Sequence, residues 1–210
     1  MRQLQYVEQV PATPQMLARL SASIADVRAT IAGARGAVVA ELREALSTLE
    51  QLQADGRITF WHTSGRFAYA SFDYPSGQLR LHVNPQFGNA PYAPGRLLHE
   101  AIHAVHAGRY PAVARAYGEV LAAGQTGDER LGVLVLRWKA WTEYWAYRRA
   151  VEYDNLRQEP QFQRDPDAEA RAERDVRASI DAVHAQTGED FDPAAWSPPA
   201  SVPRPRRGAR

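Results

Sequence analysis

Leu97–His106 reads LLHEAIHAVH, three histidines and a carboxylate in ten residues. On a helix, His99 and His103 lie one turn above each other on the same face, about 40° apart around the axis. Two imidazoles at that spacing converge on one metal ion, and neutral imidazole nitrogen is a standard zinc ligand at about 2.0–2.1 Å. Glu100 sits about 100° round the helix. It cannot share the histidine face, but it can lean over the metal's open side and take a proton from the water activated there. A surface helix can carry this pattern by chance. Leu97, Leu98, Ile102 and Val105 argue otherwise, because they make the helix largely buried. Buried histidines and a buried glutamate need partners that offset their desolvation, and a zinc ion is one.

N-terminal to this helix, which spans about Gly95 to Ala107, the period of the sequence changes. RITFWH, RFAYASFDY and QLRLHVN are short, aromatic and β-branched, and are separated by TSG and PSG. These are hairpin signals and predict a three-stranded antiparallel meander over about Arg57–Asn84. The prolines of PQFGNAPYAPG mark the loop that follows. Further upstream, Thr13 before Pro14 is a helix start, and Met16, Leu17, Leu20, Ile24 and Val27 recur at helical spacing. Gly33 and Gly36 divide this region into two helices, the second ending at ADG, Ala54–Gly56. C-terminal to the motif, a segment over Pro111–Ala123 ends at GQTGDE, and a long helix runs from about Glu129 to Leu156. The first half of that helix is apolar on every side, as in a helix buried within a domain. A last helix runs from Asp165 to about Gln186, with Val176, Ile180 and Val183 as its apolar edge.

The expected fold class is therefore α+β: N-terminal helices, a small three-stranded antiparallel sheet, the motif helix and a mostly helical C-terminal half. Residues 1–56 form an N-terminal helical segment packed on the core, 57–190 the central domain, and 191–210 a Pro/Arg-rich disordered tail.

Composition narrows the function classes. The chain has 210 residues, 45% hydrophobic, with a net charge of +1, so no global field recruits nucleic acid or acidic lipid. Four arginines fall in SPPASVPRPRRGAR, and the rest carries 21 basic against 24 acidic residues, a net of −3. Four charges without interleaved aromatics are a weak claim on nucleic acid. There is no cysteine, so disulfides and thiolate chemistry are excluded and any metal takes nitrogen and oxygen ligands. No stretch approaches the roughly 20 apolar residues of a spanning helix, and MRQLQYVEQVPATPQ lacks the pattern of a Sec signal peptide. The expected location is cytoplasmic in the producing cell, or exported without a Sec signal. The 24 arginines against one lysine fit a GC-rich bacterial genome.

HEAIH on an apolar helix after a small sheet resembles the zincin metallopeptidases, over about residues 57–156. The resemblance implies a zinc ion held by His99 and His103, with Glu100 as general base. Catalytic zinc takes a third protein ligand and keeps one position open. The extended metzincin pattern needs glycine at 106 and histidine at 109, where this chain has His106 and Arg109. His106 lies about 10 Å along the axis from His99, too far to join, and reads as a structural histidine or pocket wall.

A gluzincin arrangement takes a glutamate from a later helix. Glu143, among Trp141, Tyr144 and Trp145, is a carboxylate that is costly there unless paired or coordinating metal. Glu152 has Arg148 and Arg149 one turn back, an ordinary ion-pair pattern, and Glu119 sits in a weak segment read as exposed. EYWAY is similar to the Glu-x-x-Ala-Tyr segment of small bacterial HExxH proteins found among toxin and effector domains. Thermolysin-like enzymes carry an aspartate where this chain has Tyr147, a phenol able to make the same supporting hydrogen bond. TGDERLG resembles the aspzincin loop, which makes Asp128 the other third-ligand candidate, although GDE is also a helix cap. Both remain open.

The implied activity is zinc-dependent hydrolysis of peptide bonds, with a protein or peptide as partner and no membrane. Tyr147, Tyr144, Tyr92 and His184 are candidate oxyanion donors, Tyr147 foremost. LRLHVN is the expected substrate edge, with His82 a residue of the sheet face. Trp138, Trp141 and Trp145, at i, i+3, i+7, read as core. The alternative class is a zincin scaffold kept as a binding or regulatory module without turnover; the intact Glu100 speaks against it.

Overall fold

The computed structural model describes residues 6–63, 70–83, 92–124, 126–157 and 166–202. In chain order the elements are β1 (Tyr6–Val10), α1 (Pro14–Ala32), α2 (Ala37–Ala54), β2 (Ile58–Thr63), β3 (Ala70–Asp73), β4 (Gln78–His82), α3 (Pro94–Arg109), α4 (Pro111–Ala123), α5 (Glu129–Arg157) and α6 (Pro166–Thr187). The fold is α+β, as its periodicities predict. Contacts divide the chain into two compact units, Met1–Val105 with Arg148–Gln158, and His106–Tyr147 with Glu159–Arg210. Helices α3 and α5 each pass unbroken from one unit into the other.

In the first unit, Thr13 caps α1 by accepting from the Met16 amide at 3.2 Å. Leu20, Ile24, Val27 and Ile31 of α1 and Leu42, Leu46 and Leu49 of α2 are buried, each row spaced along one helical face. Each such side chain stabilises by about 1.5–3 kcal/mol when fully buried. Gly36 enters α2 at φ +121°, a conformation open to glycine and strained for other residues. The C-terminal end of α5 is tied to both helices by polar contacts. Tyr153 donates to Asp26 at 2.9 Å and Arg157 pairs with Asp26 at 3.0 Å, while Arg149 bridges Glu41 and Glu152. Glu152 is thus the ion-pair partner its spacing suggests.

The sheet corrects the expected meander. Among the described residues it has four strands in the order β1-β2-β4-β3. Strand β1 runs antiparallel to β2 (Val10 opposite Phe60), and β2 runs parallel to β4 (Phe60 beside Leu81). Strand β3 runs antiparallel to β4 (Phe72 opposite Leu79). The PSG turn does close a hairpin between β3 and β4, with Gly77 at φ +65°. The TSG turn and the start of the RFAYASFDY stretch fall outside the described residues, as does most of the loop before α3. Strand β1 escapes a reading by pattern because Glu8 and Gln9 are exposed, and a strand at a sheet edge need not alternate. The parallel β2–β4 pairing joins segments whose relation no local turn encodes. Consequently LRLH is an interior strand, and β1 and β3 are the edges. Phe60, Leu81 and Ala70, neighbours across three strands, are buried together.

In the second unit, no residue of α5 from Leu131 to Tyr147 is exposed. Trp138 and Trp141 are buried with ring centroids 5.4 Å apart, so the tryptophan stripe is core, as its spacing suggests. Helix α4 is less exposed than expected: Val113, Ala114, Ala116 and Tyr117 are buried, and Glu119 faces solvent. Within the segment expected as a tail, Trp196 packs against Phe191 at 5.8 Å and Trp141 at 6.4 Å. Residues 203–210 of that tail lie outside the described residues. No helix among the described residues is long and apolar enough to cross a membrane.

Candidate metal centre

Helix α3 begins at Pro94, where the fixed φ of proline suits a first turn. Its buried side, Leu97, Leu98, Ala101, Ile102 and Val105, carries the motif inward. His99, Glu100 and His103 are 6%, 3% and 4% exposed. The two imidazoles meet at ring centroids 4.8 Å apart, tilted by 75°. Their Nε2 atoms lie 3.1 Å apart. Two zinc ligands at about 2.0–2.1 Å in a tetrahedral set are separated by about 3.3 Å, so the pair already has the spacing a shared ion demands.

Glu143 of α5 completes a group that can hold a metal ion. One ligand atom each from His99, His103 and Glu143 lie within 4.8 Å of one another, and this is the group of that kind among the described residues. Its two nitrogens and one carboxylate oxygen are donors that suit a divalent metal ion. Asp128 is engaged elsewhere. Its Oδ1 accepts from the Leu131 amide at 3.1 Å, which caps the start of α5. The Glu143 carboxylate also raises the pKa of Tyr117, although burial of that phenol is the larger cause.

Glu100 is held from two sides. Its Oε2 accepts from the Phe72 amide of edge strand β3 at 2.8 Å, and its Oε1 pairs with Arg96 at 3.0 Å. The partners that offset its burial are therefore protein groups. Arg96 stands four residues before Glu100, a spacing legible in the sequence; the Phe72 amide is not legible there. A second unread neighbour is Tyr74, whose hydroxyl lies 3.0 Å from His103 Nδ1, 29 positions away along the chain.

The remaining candidates have other surroundings. His106 Nδ1 lies 2.8 Å from Thr142 Oγ1, with the Trp141 ring at 4.4 Å, which makes it the structural histidine of the sequence reading. His82 is buried on interior strand β4. His184, near the end of α6, approaches the Glu189 carbonyl at 3.3 Å and Asp190 at 3.4 Å. Tyr92 is buried with its ring over the Arg19 guanidinium at 4.4 Å, and its backbone carbonyl accepts from Ser23 at 2.6 Å. Tyr144 packs edge-on to Trp145. Tyr147 lies half-buried on α5, one turn after Glu143. Compared with family models, curated proteins and solved structures, the chain matches none.

Proposed function

We propose that this protein is a zinc-dependent peptidase in which His99, His103 and Glu143 hold the ion and Glu100 is the general base. The observation that carries the reading is the convergence of two buried imidazole nitrogens and a carboxylate within 4.8 Å, directly beside a buried glutamate. Bound there, zinc would supply Lewis acidity, polarising the scissile carbonyl and lowering the pKa of the attacking water.

The work of the chain's own groups follows from their contacts. The Phe72 amide fixes Glu100 Oε2 and so orients the carboxylate. The partner of Oε1 is the guanidinium of Arg96, whose side chain is 45% exposed. The Glu100 side chain is only 5% exposed, so its carboxylate needs a partner throughout, and the attacking water takes the place of the guanidinium at Oε1. Oε1 then accepts a proton from the attacking water and delivers it to the leaving nitrogen as the C–N bond breaks. Tyr147, one turn along α5 from Glu143, is our choice of oxyanion donor. The partner class is a protein or peptide.

A second reading, a metal-binding module without turnover, is favoured by one observation: Arg96 and the Phe72 amide satisfy Glu100 without any catalytic role. One pair of variants separates these. Under the peptidase reading the purified protein carries about one zinc per chain, and Glu100→Gln retains it while hydrolysis of a peptide library drops by about 10²–10⁴-fold. Glu143→Gln loses both metal and activity. A zinc-loaded wild type that cleaves nothing in the library, at a rate indifferent to Glu100→Gln, establishes the binding module instead. Retention of zinc by Glu143→Gln with loss in Asp128→Asn would move the third ligand to Asp128.

A further inference from the structure

The end of strand β3 and the residue just after it reach both His103 and Glu100 of the motif. The Phe72 amide holds Glu100, and two residues on, the Tyr74 hydroxyl stands 3.0 Å from His103 Nδ1. The Tyr74 ring is clamped, edge-on to Phe72 at 5.0 Å and to His103 at 6.1 Å, so the hydroxyl is delivered by a side chain with little freedom. His103 Nε2 faces His99 Nε2 at 3.1 Å.

Neutral imidazole carries one N–H, on either nitrogen, and the partner of one nitrogen decides the state of the other. A metal ion takes the lone pair of Nε2, so a ligating His103 must keep its proton on Nδ1. In that state Nδ1–H donates to Tyr74 Oη. We propose that Tyr74 is a positioning residue that holds His103 as the Nδ1–H tautomer, with its Nε2 lone pair already directed at the metal position. This rests on the metal-site reading above. In the metal-free protein the Nε2···Nε2 hydrogen bond then has one direction: His99 Nε2–H donates to His103 Nε2. His103 is preset, and His99 is the ligand that moves its proton to Nδ1 on loading.

The test has two arms. Long-range ¹H–¹⁵N correlation of the metal-free full chain reads both tautomers directly, with no metal present. The expected result is His103 as Nδ1–H and His99 as Nε2–H, and a shift of His103 toward Nε2–H in Tyr74→Phe, which keeps the ring contacts and removes the oxygen. In the second arm, chelator competition measures zinc affinity, expected to fall about 10–100-fold in Tyr74→Phe, the usual cost of losing a ligand's hydrogen-bond partner. His103 as Nε2–H in the wild type overturns the proposal without any variant. So does a Tyr74→Phe protein with wild-type tautomers and wild-type zinc affinity, a result that leaves the metal site standing. If instead no zinc binds while His103 still changes tautomer in Tyr74→Phe, the metal reading fails and the positioning of His103 by Tyr74 is upheld.

Discussion

His106 and the His99–His103 pair sit on one helix at nearly equal depth, 6% exposed against 6% and 4%, and differ in what meets their nitrogens. His106 Nδ1 has the Thr142 hydroxyl at 2.8 Å, and its ring lies against Trp141 and Trp138. A structural histidine looks like this: a hydrogen-bonding nitrogen engaged and the ring face spent on packing. In the pair, the Nε2 atoms point at each other. Burial alone therefore does not mark a ligand. What marks it is a nitrogen whose protein partner is another potential ligand, in a place where an ion would satisfy both.

The sharpest way to break this comparison is to truncate one histidine of each kind. His103→Ala is expected to abolish stoichiometric zinc and the rise in melting temperature on adding zinc, both readable by elemental analysis and a thermal melt. His106→Ala should keep the zinc. Its cost is in stability, about 2–4 kcal/mol, from the cavity beside the tryptophans and the lost hydrogen bond to Thr142. Denaturant midpoints measure that cost. Equal zinc loss in the two variants would show that the three histidines act together and that the distinction is wrong.

Thr142→Val is a milder probe of the same difference. It is close in shape, removes the hydroxyl facing His106 Nδ1, and is expected to destabilise by about 1–2 kcal/mol with zinc content unchanged. A variant that unfolds at the wild-type midpoint would mean that this hydrogen bond contributes nothing net.

The site was legible from sequence where its logic is local. Ligand spacing on one turn, the apolar flanks and the costly Glu143 in an aromatic helix are all i, i+4 or neighbour relations. The helices were legible for the same reason, down to the Thr13 cap and the Gly33/Gly36 break. What stayed hidden is long-range. The place of β4 between β2 and β3 depends on a parallel pairing that no turn encodes, so LRLH passed for an edge. The Phe72 amide can reach Glu100 because β3, not β4, is the edge strand, and Tyr74, just past the end of β3, reaches His103 through its side chain. Aromatic residues in a strand read as packing, and nothing local shows that a phenol will meet an imidazole 29 positions away.

Tyr153 extends the comparison to a group that is structural in the sense of His106 but ionisable at alkaline pH. It is fully buried and donates to Asp26, and its pKa lies above the ordinary 10.0, first because of burial, then through the opposed effects of Thr30 and Asp26. Folded chain keeps this proton; unfolded chain releases it near pH 10. The contribution is thus fully present below pH 10 and is lost as pH rises from there toward the folded value. One proton gives a slope of at most about 1.4 kcal/mol per pH unit and a loss under about 1 kcal/mol at pH 10.5. Tyr153→Phe removes the titrating group, so stability between pH 9 and 11 should fall less steeply than in the wild type, with zinc content equal in both. Identical slopes would show that other groups carry the alkaline loss and that burial at Tyr153 does not hold its proton.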